Sequence, residues 1–292
     1  MSKQKTATSG AKVRKTFVNV LIHIFLAVLA FIWVLPVFWV VLTSFRAEKG
    51  SYVETFFPKS YTFDNYIKIF TDTSILNFPK MFMNTLIIAI FTCIISTIFV
   101  LSVSYCMSRM RFKMRKPFMN IAMILGLFPS FMSMIAVYFI LKALGLSEGS
   151  MIRIALIIVF SAGSGVGFYV AKGFFDTIPK SLDEAAIIDG ASRWQVFTKI
   201  TIPLSKPIIV YTILTSFMGP WIDFVFAKVI CRANKDYYTV SIGLWNMLEK
   251  EYVYPWFNSF AAGAVLISVP IIILFMFMQK CYRESFSGGV KG

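Results

Sequence analysis

Histidine is nearly absent from this chain: His23 is the only one in 292 residues. A catalytic triad or a zinc centre normally draws on imidazole. His23 stands inside an apolar run with no carboxylate or thiol at helical spacing, so it reads as a hydrogen-bonded helix residue. Cysteine is scarce as well: Cys93, Cys106, Cys231 and Cys281 show no C-x-x-C spacing, which argues against a zinc site or a disulfide framework. The chain has no G-x-x-x-x-G-K-[ST] motif, so it carries no P-loop for ATP. Gly163, Gly165 and Gly167 in SAGSGVGF imitate one, but they lie within an apolar run, where small residues let helices approach closely. Acidic residues are few, 14 Asp and Glu against 29 Lys and Arg, for a net charge of +15. The cations flank apolar runs, where they meet anionic lipid heads, so the charge does not point to nucleic acid. A polar stretch of domain size is missing too. The longest polar intervals, 43–82, 172–207 and 231–257, are connections.

What remains is apolar. Hydrophobic residues make up 58% of the chain and aromatics 17%, and mean hydropathy is +0.73. Six runs, at about 18–42, 83–107, 117–141, 151–171, 208–230 and 258–279, each approach the ~20 residues that a helix needs to cross a bilayer. The expected fold is therefore all-α: a polytopic membrane protein with six transmembrane helices. The first run is too long for a cleavable signal and lacks a small-residue cleavage site, so it counts as the first span. Most Lys and Arg fall on one side if the N-terminus is inside, and Arg109, Arg111, Lys113, Arg115 and Lys116 in one short turn weigh most. This arrangement makes 1–17 a cytoplasmic tail, 18–280 the membrane domain and 281–292 a second cytoplasmic tail. By the same topology only Cys231 among the cysteines faces outside.

The polar segment DEAAIIDGASRWQVFTKITIPLSKP, 183–207, then lies on the cytoplasmic side. Ser181 with Glu184 three residues later has the form of a capping box, so a helix is expected just after Pro179, with Asp183 and Glu184 at its positive end. Gly190 interrupts it. A helical pattern resumes from Ser192 through Trp194, Phe197 and Thr198, until Pro203 and Pro207 stop it and start the next span. Ala185, Ala186, Ile187, Ile188 and Ala191 are small or apolar. Two short helices joined at a glycine make an elbow that a partner can approach closely. By pattern alone, an amphipathic connector lying on lipid fits as well.

The spacing Glu184-Ala185-Ala186, three residues, Gly190, nine residues, Ile200-Thr201-Ile202-Pro203 resembles the EAA loop of ABC importer permeases, with Ile202 where leucine is usual. PSFMSMIAVYFILKALGL (129–146), GFFDTIPKSLDEAA (173–186), PLSKP (203–207) and the final GGVKG (288–292) are similar to the sugar-importer branch, near maltose and maltodextrin permeases. This resemblance implies that about 176–203 is the coupling loop, with Glu184, Ala185, Ala186, Asp189, Gly190, Ile200 and Pro203 docking on an ATPase. It also implies a prokaryotic cell membrane and several partners: a second, homologous permease, two copies of a cytoplasmic ATP-binding subunit, and an extracellular or periplasmic sugar-binding protein. ATP and Mg would sit on the partner ATPase, with no cofactor and no catalysis in this chain.

Asp223, in MGPWIDFVF, is an acid within the fifth run, and an intramembrane carboxylate is a functional-site candidate by default. Pro220 before it is expected to kink the helix and free carbonyls near Ser216. Two readings stand. Asp223 accepts sugar hydroxyls while Trp221 presents an aromatic face to the sugar, or Asp223 pairs with Lys228 or a neighbouring helix. In the interval 231–257, Tyr237, Tyr238, Trp245, Tyr252, Tyr254 and Trp256 read as interfacial anchors. The resemblance adds TVSIGLWNML (239–248) as a contact for the binding protein. A secondary transporter or channel working alone is the alternative function; such carriers commonly have paired broken helices and inverted repeats, and only one buried carboxylate is visible here.

Overall fold

The computed structural model describes residues 3–51, 55–128, 130–163 and 167–287; the side chains of 3–13, 130–131 and 280–287 lie outside that description, as do Gly165 and the GGVKG tail. The described residues contain no strand, only one antiparallel bridge between Arg46 and Tyr61. The fold is all-α and polytopic.

Among the described residues, three helices are long and apolar enough to cross a membrane unaided. They are α1 (Lys3–Ser44), α3 (Phe78–Arg109) and α14 (Val253–Ser287); α2 (Asp64–Thr71) is a short amphipathic helix between the first two. Counting each bent helix pair as one span raises the number to six. The third apolar run, expected as one span, is two helices, α4 (Arg115–Leu127) and α5 (Ser130–Ala143), bent by 108°. Phe128 between them is extended, φ −74° and ψ 132°. It precedes Pro129, whose ring excludes the helical region for its neighbour. The fourth run is α6 (Met151–Ala162) and α7 (Gly167–Thr177), bent by 43°.

The polar segment forms α8 (Lys180–Ile188), α9 (Arg193–Val196), a π turn at Phe197–Thr201 and α10 (Ile202–Leu204). The fifth run then continues as α11 (Lys206–Ile222) and α12 (Val225–Cys231), followed by α13 (Val240–Met247). Pro203 does not stop the helix as expected. In a regular helix its ring would strike the Lys199 carbonyl; the wider π turn, where Ile202 N–H donates to Phe197 O, makes room. The break comes at Ser205 instead, and the two arms meet at 82°.

Helix α3 is the central member, packing against α6, α7, α11 and α13. Asn77 starts it by accepting from Lys80 N–H at 3.1 Å. Two cores stack along it. One gathers Ile88, Ala89, Ile152, Leu156, Trp221 and Ile242; the other gathers Val100, Leu101, Met107, Phe168, Phe175 and Ile208. Between them Thr92 and Ser96 are buried with hydroxyls that have no hydrogen-bond partner. By contrast α1, α4 and α5 expose large apolar side chains on most of their length, as helices that face lipid or another subunit do.

At the end away from the elbow, Arg46 is buried and donates to the Thr55 and Phe56 carbonyls at 2.9 and 3.0 Å. Asn84 donates to the carbonyls of Asp236 and Tyr238, and Thr85 Oγ1 accepts from Val240 N–H at 2.9 Å. These bonds draw the 231–257 interval back into the bundle. Tyr238 and Trp256 are consequently buried rather than interfacial. Most of TVSIGLWNML is buried too: Thr239, Val240, Ile242, Leu244 and Met247 lie in the core, and Trp245 and Tyr254 are the large aromatic groups left exposed.

Candidate functional site

The elbow is built by two local signals. Helix α8 ends in a Schellman motif: Ala191 N–H donates to Ala186 O at 2.9 Å and Gly190 N–H to Ile187 O at 3.0 Å. Such an ending requires a left-handed residue, and Gly190 has φ +85°. The spacing from Ala186 to Gly190 is therefore that of a helix terminator. Helix α9 starts with a capping box: Ser192 Oγ accepts from Gln195 N–H at 3.2 Å and Gln195 Oε1 from Ser192 N–H at 2.7 Å. The capping box expected at Ser181 and Glu184 is not formed. Helix α8 begins at Lys180 with Pro179 as N-cap and no side-chain cap bond, so Ser181 already lies inside the helix.

Both arms are fastened to one face of the last two turns of α3. The Arg109 guanidinium lies 3.2 Å from the Asp183 carboxylate and donates to the carbonyls of Phe175 and Ile178 at 3.0 and 2.8 Å. The side chains of Arg109 and Asp183 are only 5% and 13% exposed. Tyr105, one turn earlier, donates to Arg193 O at 3.2 Å and packs on Phe197 at 4.6 Å between ring centroids. Ser108 donates to Asp176 at 2.6 Å, and Ser104 to Phe168 O at 2.9 Å. Sequence reading counted Arg109 as one more flanking cation. The available signal was Ser104, Tyr105, Ser108 and Arg109, an i, i+4 polar pair of rows ending an apolar run.

Much of the elbow's surface is uncovered. Glu184, Ala185, Asp189 and Gly190 are exposed, Ala186 and Ile200 are half-buried, Ile188 is 84% exposed and Trp194 70%. Pro203 sits just inside α10, beyond the π turn.

Asp223 and Trp221 stand apart from the elbow. Asp223 is extended, φ −76° and ψ 123°, and separates α11 from α12. Helix α11 continues past Pro220 to Ile222, so the interruption lies three residues later than the proline suggests. The Asp223 carboxylate accepts from Ala227 N–H at 3.0 Å and so caps α12. Lys228 does not pair with it; its ammonium lies 5.0 Å over the Tyr238 ring. Trp221 is 1% exposed, enclosed by Phe82 and Phe217, and presents no face to open space. Asp223→Asn is expected to leave assembly near normal because Asn caps as well as Asp, whereas Asp223→Ala should cost about 1 kcal/mol and lower the yield of folded protein. Equal yields for Asn and Ala variants would remove the capping role. Trp221→Leu should lower yield without changing discrimination among ligands.

A cavity of about 320 Å³ opens between α3, α6, α7 and α11, where the two cores part. Thr92, Tyr211, Thr212, Thr215 and Ser216 line it, with Gly163, Gly167 and Gly219. A Cβ built on Gly163 would meet nothing within 4 Å, and one on Gly167 would meet Val100 at an ordinary 3.7 Å. These glycines therefore widen a cavity here instead of bringing helices of this chain together. His23 Nδ1 donates to Asn19 O within α1, as the sequence suggested.

A helical polytopic chain that holds a two-armed elbow on the end of its central helix is a membrane permease in architecture. Residues 102–286, well over half of the chain, match the family described as binding-protein-dependent transport system inner membrane component, and the chain belongs to that family. It is 34% identical over 283 residues to the galactooligosaccharides transport system permease protein GanQ of Bacillus subtilis (strain 168), covering 96% of this chain and 98% of the relative. It is 31% identical over 289 residues to the maltodextrin transport system permease protein MalD of Streptococcus pneumoniae (strain ATCC BAA-255 / R6), covering 97% and 99%. Among solved structures, a bacterial ABC transporter involved in import of the acidic polysaccharide alginate aligns with a TM-score of 0.70 at 23% identity, covering 90% of this chain and 95% of that one. Family membership sets aside a transporter or channel working alone.

Proposed function

We propose that this chain is one of two permease subunits of an ATP-driven importer of oligosaccharides, and that the elbow receives the movement of a separate ATP-hydrolysing subunit. The observation that carries the coupling role is the elbow itself: an uncovered surface with Ile188 and Trp194 exposed, backed by a buried ion pair to the central helix. An exposed surface of this kind, rigidly supported, suits transmission of force from a partner. The oligosaccharide reading is supported by relatives of nearly full length whose names specify galactooligosaccharides and maltodextrin. A solved alginate transporter is in complex with a pentasaccharide-bound periplasmic protein, which supports an external binding protein as a further partner. ATP and Mg then belong to the ATPase, and the hydroxyl-lined cavity beside α3 supplies groups suited to sugar hydroxyls.

The elbow end carries Arg109, Arg111, Lys113, Arg115 and Lys116, which supports a cytoplasmic placement for it and for both termini. Single cysteines near Lys59 and Lys235 should react with an impermeant thiol reagent from outside, and ones near Arg111 and Gly190 should not. Reversed labelling would remove the coupling role. For substrate class, uptake of labelled oligosaccharides of graded length is compared in cells with and without the gene. Loss of oligosaccharide uptake is expected on deletion, and unchanged uptake at every length would overturn the sugar reading.

A further inference from the structure

Behind the elbow, on the side facing α3, lies a second cavity of about 470 Å³. Arg109, Arg111, Arg115, Lys180 and Arg193 line it against Asp183 and Glu184. Asp183 is already engaged by Arg109, so the remaining cations face one free carboxylate. Lys180, Asp183, Glu184 and Ile187 follow helical spacing, so one face of α8 lines this cavity, while Ala185, Ile188 and Asp189 lie off it.

Two helices begin at this cavity: α8, whose first turn carries Asp183, already paired with Arg109, and α4, whose start has no acid to neutralise it. Helix α8 opens at Lys180 and α4 at Arg115; their N-caps, Pro179 and Met114, make no side-chain cap bond. The first turn of α4 contains no acid and instead carries Arg115 and Lys116. Cations at the positive end of a helix oppose its dipole, which is unfavourable unless an anion sits among them. The Arg109 side chain is 95% buried at the cavity wall, and its Nη1 has no hydrogen-bond partner.

We propose that this cavity binds a phosphate group, which ties the elbow and the α4 start to the end of α3. Several guanidinium groups and an ammonium converging on one cavity match an anion that offers multiple tetrahedral oxygens. The cavity sits where the apolar spans end, at headgroup depth, so a lipid phosphodiester can reach it; a soluble phosphate can enter from the aqueous side. The inference does not depend on which sugar is carried, and its failure leaves the importer reading intact.

The test uses the full complex, purified in neutral detergent. Inorganic phosphate is expected to raise its thermal midpoint by about 3 °C relative to chloride at equal ionic strength. A double variant, Arg111→Gln with Arg115→Gln, should lose that shift. In parallel, the complex is placed in phosphatidylcholine vesicles with and without phosphatidylglycerol. A response in both arms assigns the site to phosphate of either source, and a response confined to phosphatidylglycerol assigns it to a lipid headgroup. Chloride reproducing the shift, an equal shift in the double variant, or no shift in either arm would overturn the proposal. Release of the ATPase from the double variant before any ligand is added would overturn it as well, because the cavity then holds an acidic segment of that partner. The comparison of phosphate with chloride on the unaltered complex stands even if the double variant does not assemble.

Discussion

Arg109→Gln is expected to reduce transport by more than tenfold and to lower the yield of assembled complex. The guanidinium makes an ion pair with Asp183 and two hydrogen bonds to carbonyls at the end of α7, all within a site almost closed to solvent. Removing one partner of a buried pair leaves the other charge uncompensated, at a cost of about 3–5 kcal/mol. Glutamine is too short to span Asp183 and both carbonyls, so the start of α8 loses its attachment to α3. Arg109→Lys keeps the charge but not the planar fork, and should fall between the two. Asp183→Asn keeps a hydrogen-bonding group and leaves the carbonyl bonds intact, so its effect should be smaller, about 1–3 kcal/mol. The measurements are thermal unfolding of the purified complex and uptake normalised to complex present. Wild-type values for Arg109→Gln in both would mean that the pair is incidental to holding the elbow.

This prediction rests on a contact that the sequence did not disclose, and the reason is physical. Long apolar runs identify membrane helices because the bilayer imposes length and composition on each segment separately. That is why α1, α3 and α14 were legible, and why the elbow was too: Gly190 and the segment from Ser192 are governed by local backbone chemistry. Breaks inside a run were harder. Phe128 is displaced from the helix by Pro129, a rule visible in sequence, yet Pro220 and Pro270 are carried within α11 and α14. Which prolines a helix tolerates depends on neighbours that re-satisfy the freed carbonyl. The capping box at Ser181 and Glu184 failed for a different reason: Pro179 took the N-cap position and shifted the register by two residues. Trp221 and Asp223 are two residues apart in sequence but divided by the end of α11, so one is buried among Phe82 and Phe217 and the other caps α12. Their separate fates, like the fastening of Arg109 to α7 and α8, follow from which helices meet in space.

Gly190→Val should abolish most transport while the complex still assembles, and Gly190→Asn should retain most of it. A Cβ built on Gly190 meets nothing within 4 Å, so packing offers no objection to a side chain. The objection is conformational: at φ +85° an L-residue costs roughly 1–2 kcal/mol, more if β-branched, whereas Asn tolerates this region far better. Valine would escape by moving to negative φ. That would break the bonds from Ala191 to Ala186 and from Gly190 to Ile187 and re-aim α9 relative to α8. The start of α8 would stay fixed by Arg109 and Asp183, and the start of α9 by the Ser192 and Gln195 box, so the whole change would fall on the angle between them. Uptake and ATPase stimulation by loaded binding protein, each at equal complex, separate an altered angle from lost protein. Equal activity of the Val and Asn variants would show that the angle is not what the partner reads, and that an attached α8 alone suffices for coupling.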